Sequence, residues 1–165
     1  MRDFSPVYRL PNVPAVYAFY SEGRRVSYVA YVGIAGKLKQ RIIQHLIRKD
    51  SSVATGTSAV NLNPDFVSKL SWWEHPNFDK TVHLKAAEMV AFEVLNPALR
   101  SRGNVDNAGM DLFKDEKFNT KFTELFEGEL TGSIEFPSLT DAMEKISILE
   151  KKVNKLEELI QKIEE

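Results

Sequence analysis

The chain has 165 residues, no cysteine, and 22 basic against 23 acidic side chains, for a net charge of −1. That length suffices for one hydrophobic core with an appendage, and the absence of cysteine excludes disulfide frameworks, thiolate zinc sites and cysteine nucleophiles. There is no run of about 18 apolar residues, and the first residues, Met1 to Pro6, lack the apolar stretch of a secretory signal, so the expectation is a cytoplasmic protein without a membrane partner.

The near-neutral total hides an asymmetry. Residues 1–110 carry a net +5 and residues 111–165 a net −6, with the basic excess concentrated between Arg24 and Lys49. A positive site on a neutral molecule is compatible with a polyanionic partner.

In chain order, Ala15 to Tyr20 and Val26 to Val32 are rich in strand formers. The polar, glycine-containing link between them predicts an antiparallel hairpin. Gly33 and Gly36 are read as the turn that ends the second strand, and a helix is predicted from about 37 to 48. At 100° per residue, Lys37, Arg41, His45 and Arg48 fall within about 80° of one another, opposite Leu38, Ile42, Ile43, Leu46 and Ile47. One face is therefore expected in the core and the other cationic and solvated.

Residues 49–65 have no period and many turn formers, which predicts a long loop. Residues 66–74 read as a third strand, in which one of Trp72 and Trp73 faces the core, and residues 81–95 read as a second helix stopped by Pro97. His75 and His83 have no partner at metal-ligand spacing and are read as surface or capping residues. The stretch 98–137 is ambiguous, with short helical patches around Leu112 and from Phe122 to Phe126.

The C-terminal segment is the clearest periodic signal. Leu139, Ala142, Ile146, Leu149, Val153, Leu156, Ile160 and Ile163 alternate spacings of three and four and fill every a and d position of a heptad. Ser138 with Asp141 three residues on forms an N-cap signature. A parallel homodimer through 139–163 would set Lys145 and Lys152 at g against Glu150 and Glu157 at e of the second copy, whereas antiparallel pairing would oppose like charges. A helix packed on its own domain is the alternative.

Taken together, Ala15-Val16-Tyr17, then Tyr31-Val32-Gly33, then Arg41, His45 and Glu88 upstream of Pro97 resemble the GIY-YIG nuclease superfamily over residues 15–100. Arginine stands ten residues after the second tyrosine, histidine follows four later, alanine replaces the first glycine, and Arg100 stands where an asparagine is often found. With the elements read above, the expectation is an α+β fold with a small three-stranded antiparallel sheet flanked by helices, GIY-YIG nuclease-like, over residues 1–130, followed by the coiled-coil helix that the heptad gives at 138–165. The resemblance implies a metal-dependent endonuclease acting on DNA phosphodiesters, and a parallel dimer would suit a cut in both strands, as a restriction-like or phage- or mobile-element-associated enzyme makes.

Within that resemblance, Tyr17, Tyr31, Arg41 and His45 are the catalytic candidates, and Glu88 is the ligand for one divalent ion, Mg²⁺ or Mn²⁺. Lys37, Lys39, Arg48 and Arg100 are candidate DNA contacts, and Glu93 serves as a solvated control on the same helix as Glu88. The residue types suit the chemistry: a guanidinium stabilises phosphoryl charge, and a carboxylate can hold a hard cation. A phenol is ionised about one part in a thousand at pH 7, a cost of roughly 4 kcal/mol for a base, so cationic neighbours are expected to lower it. Two alternatives stay open: a catalytically silent nucleic-acid-binding or assembly module on the same fold, and a partner-directed repair nicking nuclease.

Overall fold

A computed structural model describes residues 2–51, 62–100 and 103–164. The chain divides into two compact units, one of residues 4–136 and one joining residues 1–3 to 137–165. In the larger unit, strands β1 (Ala15–Glu22), β2 (Ser27–Ala35), β3 (Val67–Trp73) and β4 (Gly132–Glu135) form one antiparallel sheet in the order β2-β1-β3-β4. Helix α1 (Leu38–Leu46) follows the first hairpin, α2 (Thr81–Leu95) follows β3, and α3 (Asn107–Lys114) and α4 (Glu116–Glu127) precede β4.

Side chains alternate across a strand with period two, and this alternation divides the core. Tyr17, Phe19, Tyr31 and Leu70 face one side, where Leu38, Ile42 and Leu46 of α1 close over them. Val16, Ala18, Val32 and Trp73 face the other, against α2 and the phenylalanine ladder Phe118, Phe122 and Phe126 of α4. The ladder has a spacing of four, so its rings lie on one helix face; Phe118 and Phe122 are 4.5 Å apart and Phe78 stacks on Phe122 at 5.5 Å.

The sheet has four strands where the sequence suggested three. β4 is only four residues long and mixes glycine, serine and glutamate, too little pattern to stand out from a loop. It pairs with β3 through Lys69↔Glu135, Leu70↔Ile134, Ser71↔Ser133 and Trp72↔Gly132. The pairing needs glycine at 132, because a Cβ there would lie 2.2 Å from the Trp72 ring. The tryptophans divide as alternation requires: Trp73 is buried, and half-buried Trp72 donates its indole N–H to Glu74 at 3.1 Å.

The ambiguous region resolves into α3 and α4 through two aspartate caps. Asp106 accepts from the Gly109 amide and Asp115 from the Phe118 amide, each at 2.8 Å. His75 likewise caps a 3₁₀ turn, Pro76–Asp79, by accepting from the Asn77 amide at 3.1 Å. A second correction concerns Gly33, which lies inside β2 and is no turn: the strand runs on to Ala35. Of the predicted loop at 49–65, residues 52–61 lie outside the described residues.

In the smaller unit, α5 (Leu139–Glu164) is a 26-residue helix. Its start is a reciprocal cap: the Asp141 amide donates to the Ser138 hydroxyl at 3.1 Å, and the Ser138 amide donates to the Asp141 carboxylate at 2.9 Å. The Ser138 hydroxyl, donating to the Asp141 carboxylate at 2.6 Å, and the Ser138 amide hold that carboxyl below its usual range. Among the described residues, no helix is long and apolar enough to cross a membrane.

Gly132→Ala should lower stability by about 1–3 kcal/mol, the usual cost of overpacking, since the methyl must displace the Trp72 ring. Gly36→Ala, with nothing within 4 Å of the new Cβ, is the matched control and should leave the thermal unfolding midpoint within a few degrees of wild type.

Candidate active site

Tyr17 and Tyr31 share the α1 side of the sheet because both occupy odd positions in the paired register, where Phe19 opposes Tyr31 and Tyr17 opposes Gly33. Their rings are 6.2 Å apart. Gly33 makes this arrangement possible: a Cβ at that position would lie 2.5 Å from the Tyr17 hydroxyl and 2.9 Å from the Tyr31 ring. Its role is to leave room for two phenols.

His45 joins them from α1. It was expected on the solvated cationic face, yet it is completely buried. Its ring lies 5.6–5.8 Å from those of Tyr17, Phe19 and Tyr31. Both nitrogens are satisfied, Nε2 with the Tyr17 hydroxyl and Nδ1 with the Ser51 hydroxyl, each at 2.7 Å. A neutral imidazole with two partners is tolerated in a core, and this pairing overrides the helical-wheel expectation. Ser51 was not singled out in the sequence. It follows the helix by five residues in a stretch without period, and only the backbone turn around Arg48 to Asp50 brings it beneath the ring.

Burial, reinforced by the nearby charge of Arg41, pushes the His45 pKa down to about 3. Burial also raises Tyr17 well above the usual tyrosine value, and Tyr31 and Glu88 add to the rise while Arg41 opposes it. Tyr31 is raised by burial and by Glu88, again against the pull of Arg41 and a hydrogen bond with Tyr17. Arg41 lowers both phenols, as expected of a cationic neighbour, but desolvation outweighs the guanidinium.

Glu88 is 4% exposed, on the α2 turn that reaches the same neighbourhood, where its charge acts on both phenols. Arg41 is half-buried and donates to the Gln44 side chain at 3.3 Å. It lines an open cleft of about 380 Å³ where β2 meets α1, together with Lys37, Gln40 and Gln44. Two phenols, an imidazole and a guanidinium from β1, β2 and α1 are thus joined by the Glu88 carboxylate of α2, whose charge reaches both phenols.

Other sequence-predicted residues do not join this cluster. Exposed Arg48 pairs with Asp50 at 2.7 Å. Arg100 is exposed, bonds to Asn96, and lines a different cleft of about 670 Å³ with Glu93, Met89 and Phe92. Lys39 is half-buried, and its amide donates to the Pro11 carbonyl at 3.2 Å. Among the described residues no group of three or more His, Cys, Asp or Glu side chains gathers as a metal cage. A hard cation such as Mg²⁺ keeps several waters and takes as few as one carboxylate plus phosphate oxygens, so Glu88 suits it as a lone protein ligand.

The depressed His45 pKa makes stability pH-dependent. Unfolded histidine takes up its proton near pH 6.5 and the folded residue only near 3, so this contribution is complete above pH 6.5 and falls as pH drops through that window. Between pH 7 and pH 5, urea unfolding of wild type should lose about 2 kcal/mol more than that of His45→Gln, a difference that equal losses would disprove. No family model, curated protein or solved structure matches the chain.

Proposed function

We propose that this protein is a metal-dependent endonuclease of the GIY-YIG type that hydrolyses DNA phosphodiester bonds and works as a parallel homodimer. One observation carries the reading: Tyr17, Tyr31 and His45 pack ring to ring at 5.8–6.2 Å with the Tyr17 hydroxyl bonded to His45, and the charges of Arg41 and Glu88 reach both phenols.

In this reading the scissile phosphate enters the cleft beside Arg41 and Lys37, whose charges meet the phosphoryl oxygens. Glu88 would hold Mg²⁺ or Mn²⁺, which supplies charge neutralisation and an activated water. Tyr31 is 6% exposed whereas Tyr17 is wholly buried, so Tyr31 is the phenol that hydrogen-bonds the nucleophilic water. His45 is an orienting group. Protonating a residue whose pKa is about 3 costs roughly 5 kcal/mol at pH 7, and its ring is sealed from solvent. Of the cations proposed to meet backbone phosphates, exposed Lys37 lines the cleft; Lys39 and Arg48, the latter paired with Asp50, lie outside its lining, and Arg100 belongs to the second cleft.

Support for the dimer comes from α5. Its large apolar side chains at a and d, from Leu139 to Ile163, are 50–83% exposed, a continuous stripe that a second copy would cover. Isoleucine and valine at three of four a positions, with leucine at two of four d positions, favour two parallel strands, and the Lys145 to Glu150 and Lys152 to Glu157 pairs select that orientation. Two nuclease domains held together suit a cut in both DNA strands.

A second reading is favoured by the raised phenols: with Tyr17 sealed and neutral, the same fold could bind nucleic acid without turnover. Plasmid incubated with Mg²⁺ or Mn²⁺ separates the two. Arg41→Ala and Glu88→Gln should each lower cleavage by about 10²–10³-fold, and Glu93→Gln should leave it unchanged. Wild type cutting no better than Arg41→Ala on duplex, branched or single-stranded DNA would overturn the autonomous endonuclease and leave the binding module or a nuclease directed by a partner. Sedimentation tests the assembly independently: the full chain should run at twice the monomer mass and a chain ending at Pro137 at the monomer mass.

A further inference from the structure

We propose that Ser51 is a positioning residue: its hydroxyl oxygen accepts a hydrogen bond from His45 Nδ1–H, which fixes the tautomer whose bare Nε2 accepts one from the Tyr17 hydroxyl and turns the phenol oxygen toward Arg41. The inference rests on the nuclease reading for its catalytic consequence but not for its geometry.

The geometry is a chain of two short hydrogen bonds, Ser51 Oγ to His45 Nδ1 and His45 Nε2 to Tyr17 Oη, each 2.7 Å long and shielded from water. A neutral imidazole carries one proton, so the two bonds must run in the same direction. Two directions are possible, and the chemistry of the ends decides between them. A phenol is a far stronger acid than an aliphatic hydroxyl and so the better donor, while the serine oxygen, with no ring to delocalise its lone pairs, is the better acceptor. The matched arrangement is Tyr17 O–H to Nε2 and Nδ1–H to Ser51.

Arg41 imposes the same direction from the other end. A guanidinium only donates, so where Arg41 bears on Tyr17 the phenol oxygen accepts; of the two acceptors then left for the Tyr17 proton, the Tyr31 hydroxyl and His45 Nε2 at 2.7 Å, the imidazole nitrogen is the stronger base. Ser51, His45 and Tyr17 thereby form a buttress behind the one guanidinium in the cleft. Nothing in the buttress reaches solvent: Ser51 is 4% exposed and the other two are sealed. Its task is therefore to hold Arg41 in place, and no proton is transferred along it.

The test reads the tautomer directly. Protein labelled with ¹⁵N in its histidine rings is examined at pH 7 by long-range ¹H–¹⁵N correlation, with His45→Gln identifying the His45 signals among the three histidines. Wild type should show the Nδ1–H form. Ser51→Ala should shift His45 toward the Nε2–H form or a mixture, and Ser51→Thr, which keeps the hydroxyl, should restore the wild-type pattern. On DNA, Ser51→Ala should lower kcat about tenfold with KM little changed, as expected when a group is misplaced by a fraction of an ångström, and Ser51→Thr should recover most of it. An Nε2–H tautomer in wild type overturns the proposal even if Ser51→Ala fails to fold, and so does an unchanged tautomer in a folded Ser51→Ala. A tautomer that responds as stated in a protein with no cleavage under any condition would instead leave the positioning role intact and remove the nuclease reading.

Discussion

The hydrogen bond between the Tyr17 hydroxyl and His45 Nε2 ties the first strand to the first helix inside the core, and the arrangement of the candidate site follows from it. Two polar side chains that would each be costly to bury alone satisfy one another, with Ser51 completing the imidazole. The absence of a side chain at Gly33 is what admits the Tyr17 ring at this depth. Arg41, one helical turn before His45, is consequently aimed at the rim where β2 meets α1 and not at open solvent.

Burial sets the electrostatics of this region more than charge does. The phenols rise and the imidazole falls, both toward neutrality, because removing a charged form from water costs more than one neighbouring guanidinium returns. The cluster in the free protein is thus neutral polar groups bracketed by one cation and one anion. In the proposed reading such an arrangement would meet a polyanion that brings its own charge and counter-ion into the cleft, and this is why that reading assigns the phenols to orientation first.

The two units rest on different physics. The larger is held by a sheet buried on both faces, with Tyr17, Phe19, Tyr31 and Leu70 under the aliphatic face of α1 and the phenylalanines of α4 against the opposite face. The smaller has no interior of its own: α5 is capped and regular, yet its apolar stripe faces water, and a lone helix gains stability only when such a stripe is covered. The proposed second copy is the covering that its heptad and its charges describe.

Elements whose local pattern is long enough were legible in the sequence: the β1–β2 hairpin, β3, α2 from its periodicity up to the Pro97 stop, and α5 from seven alternating spacings. The order of Tyr17, Tyr31, Arg41, His45 and Glu88 was legible too, because residue type and spacing survive without coordinates. Tertiary structure alone decided the rest. β4 exists because β3 offers an edge and Gly132 lets the Trp72 ring pass, conditions that lie sixty residues away in the chain. His45 is buried although its helical position reads as solvated, since the partners that neutralise its polarity come from a strand and a loop. A local pattern records which face of an element prefers water, but which polar groups find each other inside depends on how distant segments meet, and that is settled only when the chain is folded.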